Sequence, residues 1–360
     1  MITVLVVDDS AFMRKALSMM LERDPEVRVV DTARDGQQAI EKVRALDPDV
    51  VTMDVEMPRM DGLTALRRIM DEAPRPVLMI SSVTREGAAA TVEAMEAGAV
   101  GFIPKQRSRV SLKITEIEQE LIDRIKSAAR SNLRALRPAP RSRSSIRRHT
   151  ASRLSFPQAR IIVIGVSTGG PFALQHVIPA LPADLPVPVA VVQHMPPHFT
   201  RSLAERLDAK SALHVAEAED GMPVEPGRVL IAAGGRHLVF RSGARGMIAR
   251  TPEEPTDTLH RPSVDVMFAS ANERYGGRVL GLVMTGMGKD GLEGARAIKE
   301  SGGRIVAQDE ETSVVYGMPR AVAEANLADC VLPMSDLADA LAAAVGAAPA
   351  SSHARSAAAS

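Results

Sequence analysis

The 360-residue sequence holds a single cysteine, Cys330, so no disulfide can close within the chain and no cysteine-based zinc site can form. Aromatic residues make up only 2%, which leaves little for stacking nucleobases. There is no net charge, because 44 basic side chains stand against 44 acidic ones. No apolar run reaches the roughly 18 residues of a membrane span. The opening MITVLVVDDS lacks the basic start and long apolar stretch of a secretory signal. These absences exclude a disulfide scaffold and a membrane bundle. The expectation is a cytoplasmic chain with no membrane insertion. What is present is ordinary globular composition, 45% hydrophobic and 24% charged, in a chain long enough for two or three domains.

The zero net charge conceals segregation. Residues 1–123 carry a net −6, residues 124–160 carry +11 with no acidic side chain, and residues 161–360 carry −5. Acidic, basic and acidic blocks point to two folded domains and a basic connector. The connector contains Pro138, Pro140 and Pro157, many serines, and Arg141, Arg143, Arg147, Arg148 and Arg153. Such a segment cannot bury enough apolar surface to repay its ordering entropy, so a flexible linker is expected. The tail from Ala347, AAPASSHARSAAAS, is expected to be disordered. The predicted division is a first domain over 1–123, a linker over 124–157, a second domain over 158–346 and a tail over 347–360.

In the first block, Val- and Ile-rich runs (Ile2–Val7, Val27–Asp31, Asp49–Met53, Val77–Ser81, Val100–Pro104) alternate with segments of helical period. The latter are Phe12–Glu22, Gln37–Leu46, Leu63–Glu72 and Glu86–Ala97, and the stripe Ile114, Ile117, Leu121 and Ile125 adds a last helix. This alternation predicts a doubly wound parallel sheet, flavodoxin-like, with ligands at the carboxyl ends of its strands. Asp8, Asp9 and Asp54 fall at such ends, and so do Ser81 and Lys105. Three carboxylates gathered there repel one another without a cation, and an oxygen-only site suits Mg²⁺. A hydroxyl and an ammonium at the same edge suit a phosphoryl group. The plainer reading, aspartates that only cap the following helices, explains one such residue better than five.

Val7-Asp-Asp-Ser10, Met53-Asp-Val-Glu-Met-Pro-Arg-Met-Asp-Gly62, Ser81 and Phe102-Ile-Pro-Lys105 resemble a response-regulator receiver domain over about 120 residues. The resemblance implies phosphorylation of Asp54 by a histidine kinase. It also implies Mg²⁺ on Asp9, Asp54 and the Glu56 carbonyl, with Asp8 beside the ion. Ser81 and Lys105 would read the phosphoryl group, and Phe102 would be a rotating aromatic switch.

The second block is again α/β, Rossmann-like. Predicted strands are Arg160–Gly165, Val187–Gln193, Val229–Ala232, Val279–Thr285, Arg304–Ala307 and Cys330–Leu332. Predicted helices are Pro171–Ile178, Thr200–Leu207, Val264–Tyr275, Asp290–Glu300 and Ser335–Val345. The Gly-rich turn Gly165-Val-Ser-Thr-Gly-Gly170 supports two chemistries: a nucleophile, Ser167 or Thr168, or a phosphate cradle. No Gly-Lys-Ser/Thr follows, and the spacing is not that of a dinucleotide fingerprint. His194 ends one strand and Asp290 follows another, so a serine, a histidine base and an orienting carboxylate can converge at one sheet edge. The order Ser…His…Asp departs from that of α/β-hydrolases. Other histidines compete. His149 and His353 lie in predicted disorder and His176 in mid-helix, while His198, His214, His237 and His260 remain, the last the most plausible pocket residue.

Ile164-Gly-Val-Ser-Thr-Gly-Gly170, Gln193-His-Met-Pro-Pro197, Arg261-Pro-Ser-Val-Asp265 and Thr285-Gly-Met-Gly-Lys-Asp-Gly291 resemble the catalytic domain of the chemotaxis protein-glutamate methylesterase family. The resemblance implies Ser167 as nucleophile, His194 as base and Asp290 as orienter. Thr168 and Met287 would line the site, with the Met287 N–H an oxyanion donor and no cofactor. The implied substrate is a glutamyl methyl ester, or a glutamine, on a methyl-accepting chemoreceptor. A monomer is expected, with an unphosphorylated receiver blocking the Ser167 cleft. The long basic connector departs from the family pattern, and so does His198 after the two prolines. A DNA-directed regulator is disfavoured by the net acidity of the second block and its lack of a helix-turn-helix, so no nucleic-acid partner is expected.

Overall fold

The structure, a computed structural model, describes residues 1–82, 84–105, 112–136 and 154–348. The chain divides into two compact units, 1–136 and 137–360.

In the first unit, strands β1 (Ile2–Val7), β2 (Val27–Ala33), β3 (Val50–Asp54), β4 (Val77–Ser82) and β5 (Gly101–Lys105) alternate with helices. These are α1 (Ala11–Leu21), α2 (Gly36–Leu46), α3 (Gly62–Glu72), α4 (Arg85–Glu96) and α5 (Leu112–Ala129). The sheet runs β2-β1-β3-β4-β5, all parallel. Every residue of β3 is buried, as a strand covered by helices on both faces requires. Helix starts are set by side-chain caps. Ser10 accepts from Met13 N–H, Asp35 from Gln38, Asp61 from Thr64 and Thr84 from Gly87, each worth about 1 kcal/mol. Strand order reverses between β1 and β3, which opens a crevice at their carboxyl ends.

The second unit holds a seven-stranded parallel sheet in the order β14-β13-β12-β6-β7-β9-β8. Its strands are β6 (Ile161–Val166), β7 (Val189–Gln193), β8 (His214–Glu217), β9 (Arg228–Ile231), β12 (Val279–Val283), β13 (Arg304–Gln308) and β14 (Cys330–Leu332). A separate antiparallel hairpin joins β10 (Val239–Gly243) to β11 (Gly246–Arg250). The helices are α6 (Gly170–Val177), α7 (Phe199–Asp208), α8 (Val264–Tyr275), α9 (Leu292–Glu300), α10 (Met318–Glu324) and α11 (Met334–Ala344). Central β6 buries Ile161, Ile162, Val163, Ile164 and Val166 completely. Each such side chain contributes roughly 1.5–3 kcal/mol. The switch in strand order falls between β6 and β12.

Both doubly wound sheets agree with the expected fold class. The predicted boundary at residue 123 cuts through α5, which continues to Ala129 with Leu121, Ile122, Ile125 and Ala128 buried, and a 3₁₀ turn follows over Leu133–Leu136. A stripe with buried residues on either side of the cut explains why the helix does not stop where the acidic residues do. Within the second unit, β8, the β10–β11 hairpin and α10 escaped the sequence reading. β8 is four residues long at the sheet edge, the hairpin mixes Arg, Ser and Gly among its apolar positions, and α10 spans seven residues around Pro319. The connector stretch 137–153 and the tail from residue 349 lie outside the described residues, as do His149, His353 and the side chains of Ile114 and Ile117.

Candidate active site and acidic cleft

Ser167 follows β6 directly, between the ends of β7 and β12. Its N–H donates to Thr285 O at 3.0 Å, and the neighbouring His194 N–H donates to Val166 O at 3.2 Å. The buried Gln193 ties the two positions together, because its amide nitrogen donates to Ser167 O at 3.0 Å and to His194 O at 3.1 Å. Beyond β12 the chain runs close by: a Cβ placed on Gly286 would lie 2.8 Å from Ser167 Cβ.

His194 Nε2 meets Asp290 Oδ2 at 2.7 Å, with both side chains largely buried. The same carboxylate sits on the N-terminus of α8. Asp290 Oδ2 accepts Val264 N–H at 2.7 Å, and Oδ1 accepts Asp265 N–H at 2.9 Å and the Ser263 hydroxyl at 3.0 Å. Burial acts to raise the Asp290 pKa, but the His194 contact and these helix N–H groups outweigh it and hold the carboxyl well below its usual range. An ionised carboxylate only accepts, so His194 Nε2 carries the proton and Nδ1 the lone pair. That Nδ1 is buried and has no hydrogen-bond partner among the described residues. Next to this pair, burial pushes Asp265 up to about 6, opposed by the Gly294 N–H and helped by the charge of Asp290.

The remaining predicted residues line the loops around this centre. Thr168 O accepts the buried Thr285 hydroxyl at 2.8 Å. Met287 is 43% exposed, and no backbone carbonyl of the described residues accepts its N–H. The loop that carries it is fixed at Gly286, whose N–H donates to Val315 O and whose carbonyl accepts the N–H groups of Gly317 and Met318. Gln193, Ser263 and Thr285 were missed in the sequence. The signal for Gln193 was a polar residue ending an otherwise apolar buried strand.

In the first unit, Asp9, Asp54, Glu56, Met57, Ser82 and Lys105 line a cleft of about 670 Å³. Carboxylate oxygens of Asp8, Asp9 and Asp54 lie within 4.8 Å of one another. Lys105 Nζ reaches Asp54 Oδ2 at 2.6 Å and Asp8 Oδ2 at 3.0 Å. Burial pushes Asp54 up to about 6, against the pull of the Lys105 ammonium. Lys105 is itself raised: burial opposes its charge, but contacts with Asp54 and Asp8 prevail. The donor set, all oxygen and triply acidic, fits a small hard cation such as Mg²⁺. Asp8 Oδ2 adds to that fit, since it is buried without a well-formed hydrogen bond despite the nearby lysine.

Two predicted residues stand back from the cleft wall. Ser81 is fully buried, with its hydroxyl donating to Gly87 O at 3.2 Å, while Ser82 faces the cleft. Phe102 is buried, only 5% exposed.

Sequence profiles of two families match the chain: a response regulator receiver domain over residues 4–115 and a CheB methylesterase over residues 162–341. The protein-glutamate methylesterase/protein-glutamine glutaminase 1 of Oleidesulfovibrio alaskensis is 49% identical, across 95% of this chain and 98% of that protein. The corresponding protein of Symbiobacterium thermophilum is also 49% identical, across 96% and 97%. The crystal structure of the Thermotoga maritima CheB methylesterase catalytic domain superposes with a TM-score of 0.50 at 46% identity, covering 51% of this chain and 97% of that one. No described helix is long and apolar enough to cross a membrane. Matched in both of its units and along nearly its whole length, the chain belongs to the CheB family of protein-glutamate methylesterases/protein-glutamine glutaminases that carry a receiver domain.

Proposed function

We propose that Ser167, His194 and Asp290 form the catalytic triad with which this enzyme hydrolyses glutamyl methyl esters, and deamidates glutamines, on methyl-accepting chemoreceptors in chemosensory adaptation. The observation that carries the reading is the 2.7 Å contact of His194 Nε2 with an ionised, helix-seated Asp290, which leaves a buried Nδ1 lone pair unused on a residue whose backbone is tied to the adjacent end of β6, where Ser167 follows.

Ser167 Oγ attacks the ester carbonyl as its proton passes to His194 Nδ1. Asp290 stabilises the imidazolium and keeps the ring in the tautomer that accepts at Nδ1. The tetrahedral oxyanion is held by the Met287 N–H, with Thr168 alongside. Collapse expels methanol, protonated by His194, and leaves an acyl-Ser167 ester. Water then attacks that ester with His194 again as base, releasing glutamate. With a glutamine substrate the leaving group is ammonia, and the later steps are unchanged.

Asp54 is read as the phosphoryl acceptor for a histidine kinase, with phosphorylation raising esterase activity. Asp9, Asp54 and the Glu56 carbonyl would hold Mg²⁺ beside Asp8, and the ion would supply charge neutralisation to the incoming phosphoryl group. Lys105, already on Asp54, is placed to contact a phosphoryl oxygen in exchange for the carboxylate. Ser81 would take part only by leaving the Gly87 carbonyl.

Methanol release from methylated receptor membranes tests the assignment. Ser167→Ala should abolish release, and Asp54→Ala should remove the stimulation by a phosphodonor while sparing basal activity. Full activity in Ser167→Ala would overturn the triad.

A further inference from the structure

The triad leaves one aromatic contact unused. The imidazole of His260 lies against that of His194 with ring centroids 4.0 Å apart and planes inclined by 27°. His260 belongs to the segment that leads into Ser263, the N-cap of α8. We propose that His260 is a positioning residue for the hydrolysis: its ring is a flat backstop that fixes the plane of the His194 imidazole.

A histidine base turns about two side-chain bonds. The Asp290 contact restrains one ring atom, Nε2, and a single hydrogen bond still leaves the ring free to rock about that point. Rocking swings Nδ1 out of line with the serine hydroxyl. A ring stacked at van der Waals distance removes that freedom, and offset aromatic stacking is favourable in its own right. Misplacing a reacting group by about 1 Å can slow an enzyme roughly 100-fold.

A backstop must itself be held, and the structure shows how. His237, fully buried in the core, pins the segment on both sides of His260. Its Nδ1 accepts the Ser263 N–H at 3.3 Å, so Nε2 carries the proton and donates to Pro255 O at 3.0 Å. Its own N–H donates to Pro252 O at 2.8 Å, and Gly235 N–H ties Arg261 O at 3.1 Å. The segment is thus fastened at Pro252 and Pro255 on one side of His260 and at Arg261 and Ser263 on the other. Ser263 in turn donates to Asp290. One buried histidine therefore secures both the orienting carboxylate and the backstop of the catalytic base.

The inference rests on the triad reading, so its test must separate the two. In the full chain, methanol release from methylated receptor membranes is measured together with the rate at which a fluorophosphonate labels Ser167. In labelling, the Ser167 Oγ–P bond forms, fluoride leaves, and the hydroxyl proton passes to His194, with no receptor docking required. His260→Ala should lower kcat and the labelling rate together by about tenfold, with KM for the receptor and the melting temperature unchanged. His260→Phe, which keeps a flat ring, should restore both to within about threefold. Labelling by His260→Ala at the wild-type rate would overturn the inference, and so would a Phe variant as slow as the Ala variant. Retention of activity in Ser167→Ala is the separate result that removes the triad itself.

Discussion

Asp290 binds His194 and the start of α8 with one carboxylate: Oδ2 takes His194 Nε2 and Val264 N–H, each at 2.7 Å. The helix thus stabilises the negative charge that fixes the histidine tautomer. Asp290→Asn keeps the size of the group but offers an amide that can donate, which favours the wrong tautomer. We expect kcat to fall by about 10³- to 10⁴-fold with little change in KM. Single-turnover labelling of Ser167 in the variant checks this. A loss of less than tenfold would mean that the carboxylate does not orient the base.

Gln193 is expected to matter almost as much without touching substrate. Its amide nitrogen bridges the carbonyls of Ser167 and His194. Gln193→Leu fills similar space but leaves both carbonyls without this donor. The lost bonds should destabilise the second unit by about 1–3 kcal/mol. The loosened junction should lower kcat by about 10- to 100-fold. Thermal melting and steady-state kinetics measured on the same preparation resolve the two effects.

The parts of the site legible in the sequence were those at strand ends. Parallel strands such as β6 and β7 read as continuous apolar runs, so the residues that close them (Ser167, His194, Asp8, Asp9, Asp54) stand out by position. The residues that brace the site did not stand out. Ser263 stood in the sequence only as one residue of the Arg261–Asp265 stretch, and its bond to Asp290 depends on a contact 27 positions away. His260 already stood out as the most plausible pocket residue among the competing histidines, but its stacking on His194 and the bracing role of His237 come only from tertiary packing. Ser81 and Ser82 differ by one position in a strand, so the pleat sends them to opposite faces. Only the fold shows that Ser82 is the one lining the cleft and Ser81 the one bonded to Gly87.

Gly62 marks a close approach that any side chain would break. A Cβ at this position would lie 1.9 Å from Asp54 O, a backbone atom that cannot swing aside. Gly62→Ala must therefore move either the start of α3 or the strand end that carries Asp54. We expect a loss of about 2–4 kcal/mol in the first unit and much slower phosphorylation by a small phosphodonor. Basal esterase activity on a small ester should change less than twofold. Wild-type phosphorylation in this variant would show that the α3 entry does not set the Asp54 geometry.

Burial of Asp54 predicts a pH dependence of stability with a definite sign. Its pKa is raised from 3.8 to about 6 in the fold, so the folded state favours the protonated form. The stability contribution of the group is full at acid pH and is lost as pH rises between those two values. At pH 8 the ionised carboxylate stays buried, partly offset by Lys105. Asp54→Asn removes that penalty, and Lys105 keeps Asp8 at 3.0 Å. The variant should thus be more stable than wild type at pH 8 by about 1–3 kcal/mol, with the gap closing near pH 4. Magnesium should reverse the order at pH 8. An ion bound only by the folded wild-type cluster stabilises it by about 2.7 kcal/mol at 100 times its Kd, and the Asn variant, with one carboxylate fewer, gains less. Calorimetry of the full chain at both pH values, with and without Mg²⁺, checks each step. An Asn variant less stable than wild type at pH 8 without magnesium would show that the Lys105 contact outweighs burial of the charge.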